Sequence, residues 1–415
     1  MAEIPPPAMR EEAGYGTNGP QEQRTAASPP ADPVNTAHRP GGRRETRGQR
    51  ASAGGADNRQ PQPGRGAMPR NAPYGRQAFA AIDLGTNNCR LLIARPGGDS
   101  FVVIDAFSRV VRLGEGLAQT GRLSQAAMDR ALTALQVCAE KLKRRNVHLA
   151  RSVATEACRR AENGQEFIDR VRAETGIMLD IISAQEEARL AVLGCHLLLE
   201  QGEGPAMIFD IGGGSTELVL VESTPGTVPH IHDWQSVPWG VVSLTETCGD
   251  EPIDQAGRAV RYARMRQLVS ESLAPFAQRI AARCGTDCSP QSLRLLGTSG
   301  TVTTLASLHL GLPQYDRRAV DGLIVPAQSM RDISTMLSGM SPTERRAVPC
   351  IGRERSDLVV AGCAILETIL DLWPADRLGV ADRGIREGIL RGLMSAGDAA
   401  ERSRAALRET RRGRA

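Results

Sequence analysis

Apolar positions along the chain follow two periods. Short apolar runs at Phe79–Leu84 and Arg90–Ala94 flank a polar turn, which predicts two strands tightly joined. Phe101–Val111 reads as a third strand. Ser124–Arg145 has the three-four spacing of a long amphipathic helix, with Ser124 as its N-cap. A short strand at Ala150–Ala154, a helix at Glu166–Thr175, a strand at Ile177–Ile182 and a helix running to about Leu199 follow. Met207–Val221 repeats the hairpin pattern. Beyond it the pattern predicts a long helix near Asp254–Arg283, a strand at Leu293–Leu296, helices at Thr301–Leu310 and Asp357–Leu370, and a strand–helix pair over Leu378–Met394. Hairpins that give way to alternating strands and helices indicate an α/β fold with mixed sheets.

The strongest organising signal is an internal repeat. AIDLGTNNCRLLIA at 81–94 aligns without a gap on IFDIGGGSTELVLV at 208–221, an offset of 127 residues. Asp83 falls on Asp210 and Gly85 on Gly212. Two such copies predict two similar domains, 77–200 and 201–380, with their loops facing across a cleft. Residues 381–398 are expected to return to the first domain as a helix.

Composition changes this picture only at the ends. Residues 1–76 are rich in Pro, Gly, Arg and Gln and hold eleven Arg against seven acidic residues. They read as a disordered basic tail, and Met68 as an alternative start. Residues 399–415 read as a second basic tail. The net charge of +4 therefore sits in the tails, and the body is mildly acidic. Aromatic residues make up 3% of the chain, which argues against a stacking platform for nucleic acid. No apolar run is long enough to span a bilayer, and the nine scattered cysteines suit a reducing cytoplasm. Cys284 and Cys288 lack the second pair that a zinc site needs. His232-Asp233 reads as a structural dipeptide within a strand.

The two turns carry the candidate chemistry. Glycine brings backbone N–H groups close to a bound anion, and Thr86, Asn87 and Asn88, or Gly213, Gly214, Ser215 and Thr216, add donors. A carboxylate beside phosphate is tolerable when it holds a metal or its water, which marks Asp83 and Asp210. Ser215 and Glu217 are two apart on a strand and project to one face near Asp210. Gly297-Thr298-Ser299-Gly300 forms a third candidate loop, between a strand and a helix. Ser183 to Glu186 reads as a capping box, which occupies Glu186 and leaves Glu187 free as a general base in the first helical turn.

In combination, AIDLGTNN, ATEACRRAENG, ISAQEEARL, FDIGGGSTELVLV, PWGVVSLTE, LLGTSGTVTTLA, RERSDLVVAG and ADRGIREGIL resemble the exopolyphosphatase/guanosine pentaphosphatase (Ppx/GppA) family, of the actin–sugar kinase–chaperone superfamily. The resemblance runs from about Ala80 to about Leu393. It implies two actin-like, ribonuclease H-like domains and release of terminal phosphate from polyphosphate or guanosine pentaphosphate. Glu187 would be the catalytic glutamate, and Asp210, Ser215 and Glu217 would shape the metal and water site. Mg²⁺ or Mn²⁺ would be held by Asp210, Glu217 and Asp83. Arg159 would bind phosphate, with Arg90 and Arg386 adding positive charge. Ala184 stands where the family usually has glycine, and Thr86 and Asn88 replace usual serines. The chain reads as a short, two-domain member, with a homodimer left open. The alternatives are a non-catalytic guanosine tetraphosphate sensor and an ATPase or kinase of the same superfamily.

Overall fold

Two hairpins seed two sheets. In the first, β1 (Ala78–Leu84), β2 (Asn88–Gly97) and β3 (Ser100–Val110) pair antiparallel in succession. β4 (Val147–Ala154) then pairs parallel with β1, and β5 (Leu179–Ile181) parallel with β4, giving the order β3-β2-β1-β4-β5. The second sheet repeats the scheme with β6 (Pro205–Ile211), β7 (Thr216–Glu222) and β8 (His230–Val237) antiparallel and β9 (Arg294–Thr298) parallel to β6. β10 (Ile324–Pro326) and β11 (Arg377–Ala381) complete the order β10-β11-β9-β6-β7-β8. This is the duplicated α/β arrangement with mixed sheets that the sequence repeat predicts. The computed structural model describes residues 77–397 except 99, 203, 223–226, 285–292 and 353–354. The two basic tails, Met68 and Cys288 lie outside the described residues.

The duplication extends to single residues. Asp83 pairs across the hairpin with Arg90, and Asp210 with Glu217 at the matching position. Both turns close with the same bond, Gly85 N to Asn88 O and Gly212 N to Ser215 O, each 2.9 Å. One copy thus carries an acid–base pair where the other carries two acids.

Period-two alternation sends the central strands into two cores. Ala80, Ile82 and Leu84 of β1 pack with helix Gln125–Arg144, whose N-cap is Ser124, its Oγ accepting Ala127 N at 3.2 Å. Phe79 and Ala81 face the other way, against Leu190, Ile385, Ile389, Leu390 and Met394. The helical residues 385–397 therefore pack on the first sheet. In the second sheet Met207, Phe209 and Ile211 enter the large core, while Ala206 and Ile208 meet Ala188, Val192 and Cys195. Helix Ala184–Cys195 thus packs against both sheets at once. Its contact with 385–397 is close: a Cβ on Gly194 would stand 1.9 Å from Gly384 O, and one on Gly388 2.1 Å from Leu190 O. Only glycine permits that approach.

Some elements exceed the expected set: helices Val241–Thr247, Ala327–Gly339 and Pro342–Ala347, and strand β10. The helix expected at Asp357 begins at Val359, after a turn. His232 bonds Glu222 at 2.9 Å and Asp233 pairs with Arg279, both on the sheet surface. Among the described residues no helix is long and apolar enough to cross a membrane.

Candidate active site

The two glycine turns meet. A Cβ on Gly214 would lie 2.6 Å from Thr86 Oγ1 and 2.9 Å from Glu156 Cγ, and one on Gly213 would lie 3.1 Å from Asn87 N. Their carbonyls are turned away from the cleft. Thr86 O accepts from Gly114 N, and Asn87 O from Val111 N and Arg112 N. Gly212 O and Gly213 O accept from Val241 N and Val242 N at the start of helix Val241–Thr247. Ser243 Oγ accepts from Gly240 N and donates to Gly214 O, locking the helix onto the turn. The amides of Thr86, Asn87, Gly213 and Gly214 donate to no backbone carbonyl among the described residues. Such unspent N–H groups form a nest for an anion. They border a cavity of about 120 Å³ that also touches Gly85, Asn88 and Arg90.

Five carboxylates line this cavity: Asp83, Asp210, Glu187, Glu217 and Glu156. Glu217 Oε1 accepts from Ser215 Oγ at 2.6 Å and from Ser236 Oγ at 2.8 Å, as the shared strand face requires. Burial nevertheless raises its carboxyl above the ordinary range. Burial, then Glu217, pushes Asp210 up to about 7. Asp83 is raised by burial, which outweighs Arg90 and Arg386. Glu187 stands well above the usual carboxylate range because burial and Glu217 outweigh its bond with Arg159. Asp83 and Asp210 accept no hydrogen bond from any described residue.

Glu187 and Glu186 differ sharply. Ser183 Oγ accepts from Glu186 N at 3.2 Å, so the helix is capped. The return half of the capping box does not form. Glu186 instead bonds Arg151 at 2.9 Å and Arg189 at 2.7 Å, because two guanidinium groups outcompete one amide. Glu187, 7% exposed, turns inward to Arg159 at 3.0 Å.

Four expected site residues sit elsewhere. Arg159 does not line the main cavity. It bonds Ile182 O at 2.8 Å, Glu187 at 3.0 Å and Glu156 at 2.6 Å, because paired acids hold it in the wall. It faces a second, open cavity of about 520 Å³ with Glu156 and Trp234. Thr216 is fully buried, and its hydroxyl donates to Trp239 O at 2.6 Å, since strand alternation turns it away from the cleft. Gly297 is packed on the Phe209 ring, where a Cβ would come within 2.6 Å. Thr298 spends its hydroxyl on Arg383 O at 2.7 Å. Ser299 and Gly300 of the same loop do reach the cavity. Ser299 caps helix Gly300–His309, its Oγ accepting Thr301 N and Val302 N at 3.1 Å each. Its φ of 153° and ψ of 171° lie where glycine is the natural occupant, a strain of about 1–3 kcal/mol typical of ligand sites. Arg386 stands beside Asp83, and burial holds its guanidinium below its ordinary range.

Sequence reasoning missed Thr155, Glu156, Thr304 and Arg355, which also line the cavity. Glu156 and Arg355 lie inside ATEACRRAENG and RERSDLVVAG, but neither has a local pattern that marks it. Among the described residues no three His, Cys or acidic side chains are gathered as a metal cage.

Comparison with known proteins places this geometry. Residues 92–396 match the Ppx/GppA phosphatase family. Exopolyphosphatase 2 of Mycobacterium tuberculosis is 31% identical over 329 residues, covering 76% of this chain and 98% of that protein. The Aquifex aeolicus Ppx/GppA crystal structure is 27% identical with a TM-score of 0.61, and covers 77% of this chain and 98% of its own. An exopolyphosphatase structure from Cytophaga hutchinsonii is 26% identical with a TM-score of 0.68, over 77% and 98% of the two chains. The chain therefore belongs to the Ppx/GppA phosphatase family.

Proposed function

We propose that this chain hydrolyses the terminal phosphoanhydride of inorganic polyphosphate or of guanosine pentaphosphate, with Glu187 as the base. The observation that carries the reading is the pairing of unspent turn amides with a buried glutamate in one cleft. Thr86, Asn87, Gly213 and Gly214 offer N–H donors to the terminal phosphate oxygens, and Arg90 adds charge. Phosphoryl transfer needs positioning and charge stabilisation more than covalent chemistry, so this donor set is adequate. Glu187 accepts the proton of a water in line with the leaving oxygen. Its raised pKa makes it a stronger base than an exposed glutamate, and Arg159 fixes its orientation.

Asp83 and Asp210 suit a divalent cation. Asp83 is buried and Asp210 partly so, and their carboxylates line the cavity with no hydrogen-bond partner among the described residues. Two carboxylates, with Glu217 close by, match Mg²⁺, which keeps waters and takes substrate oxygens in place of a full protein cage. When bound, the cation would neutralise charge on the phosphate oxygens.

The test is phosphate release from polyphosphate and from guanosine pentaphosphate, side by side, with wild type and Glu187→Gln. Release from either substrate that depends on Glu187 supports the reading. A wild-type protein that binds both and releases phosphate from neither would make the chain a sensor.

A further inference from the structure

Behind the cavity wall lies an ion pair, Arg345 fully and Glu251 partly buried, that the chemistry above does not use. Arg355 borders the cavity and donates to Thr304 Oγ1 at 3.3 Å, and its Cζ lies 3.7 Å from where a Cβ on Gly300 would stand. It opens the short turn 355–358 that precedes helix Val359–Leu372. Arg345 grips that turn from the interior. Arg345 is fully buried, and its Nε donates to Ser356 O at 2.9 Å. Its Nη1 donates to Met340 O at 2.6 Å and to Glu251 Oε1 at 2.8 Å, and its Nη2 to Glu251 Oε2. Glu251 follows helix Val241–Thr247, the helix whose first turn holds the carbonyls of Gly212 and Gly213.

One guanidinium therefore joins the segment carrying Arg355 to the segment that braces the glycine turn. A pair of this kind contributes little to stability compared with an apolar pair of the same volume. What it does impose is geometry, because the planar fork fixes the directions of its donors. We propose that Arg345 and Glu251 are positioning residues, which set the placement of Arg355 against the second glycine turn and so the affinity for the phosphate chain. This rests on the reading that the cavity takes phosphate.

The experiment is a double-mutant cycle. Arg345→Met combined with Glu251→Leu replaces the pair by apolar groups. It should stay folded by circular dichroism, raise KM for polyphosphate about tenfold and leave kcat within about twofold, as expected for a displaced charged donor. Arg355→Ala should raise KM similarly. In the Arg355→Ala background the paired replacement should add less than about twofold, because the two changes act through one group. Equal losses in both backgrounds, or an unchanged KM, would overturn the proposal. If the paired variant does not fold, Glu251→Gln, nearly isosteric, goes through the same cycle with the same criteria. Binding of tripolyphosphate to the wild type, by calorimetry, separates the two readings. A wild type that neither binds nor hydrolyses removes both, whereas one that binds while the cycle is additive removes only the positioning role.

Discussion

Two adjacent glutamates meet opposite fates. Glu186 faces partly outward between Arg151 and Arg189, while Glu187 is buried against Arg159. Glu187→Gln should lower kcat by ~10²–10⁴, the usual contribution of a positioned base. Glu186→Gln should keep kcat and cost about 0–1 kcal/mol by urea titration, since its pairs are partly solvated. The reverse outcome would assign the base to Glu186. The raised pKa of Glu187 adds a pH signature. A base must be ionised to act, so kcat/KM should climb with pH across a limb above the ordinary glutamate range. That limb should vanish in Glu187→Gln, and a limb that survives belongs to another group. The capping register singled out Glu187, but the Glu186 side chain it assigned to the cap is taken by Arg151 and Arg189. Arg159 was legible only as a motif member. Its pairing with Glu156 is an i,i+3 contact on helix Glu156–Arg160, but its bond to Glu187 depends on tertiary contacts that local patterning does not encode. Thr216 shows the opposite case, where strand alternation from Ser215 and Glu217 already points it inward.

At the scale of elements, the placement of Glu187 depends on how helix Ala184–Cys195 meets residues 385–397. Gly388→Ala would force a Cβ to within 2.1 Å of Leu190 O, so one helix must move. Overpacking of this kind costs about 1–3 kcal/mol, and kcat should drop along with Tm. Gly392→Ala, one turn further on with nothing within 4 Å, should be neutral or slightly stabilising. Equal behaviour of the two variants in thermal melts and turnover would show that the helix contact is not tight. Long periodic elements were legible, as with Gln125–Arg144 and Gln255–Cys284. The helix Ala327–Gly339 was not, although Ala327, Met330, Ser334 and Leu337 form its buried face. A polar residue in that stripe and a mixed composition weakened the signal. β10 has three residues, too few for any period.

For the whole molecule, the duplication predicts that both walls of the cleft are needed. Asp83→Ala and Asp210→Ala should each abolish turnover with the fold intact, and Asp210→Ala should also raise the Mg²⁺ needed for any residual activity. Near-normal turnover of Asp83→Ala, measured across a Mg²⁺ titration, would reduce the first turn to a plain hairpin. The family match begins at residue 92 and no family motif precedes Ala80, so a chain starting at Met68 should keep its turnover. A loss with unchanged circular dichroism would give the first 67 residues a part in substrate handling. The duplication was legible because the two turns kept their glycines and aspartates. That the turns face each other followed from the repeat, whereas the direct approach of Gly213 and Gly214 to Thr86 and Asn87 did not, since it arises from three-dimensional closure. The packing of Ile385, Ile389, Leu390 and Met394 on Phe79, Ala81 and Leu190 also has a consequence during synthesis. The residues that cover this face of the first sheet leave the ribosome nearly 200 residues after Leu190. At ~5–20 residues per second that delay is roughly 10–40 s. For that time the nascent first half must carry an uncovered apolar face, a natural place for a chaperone to hold the growing chain, and a message cut short before codon 385 would leave the face permanently bare.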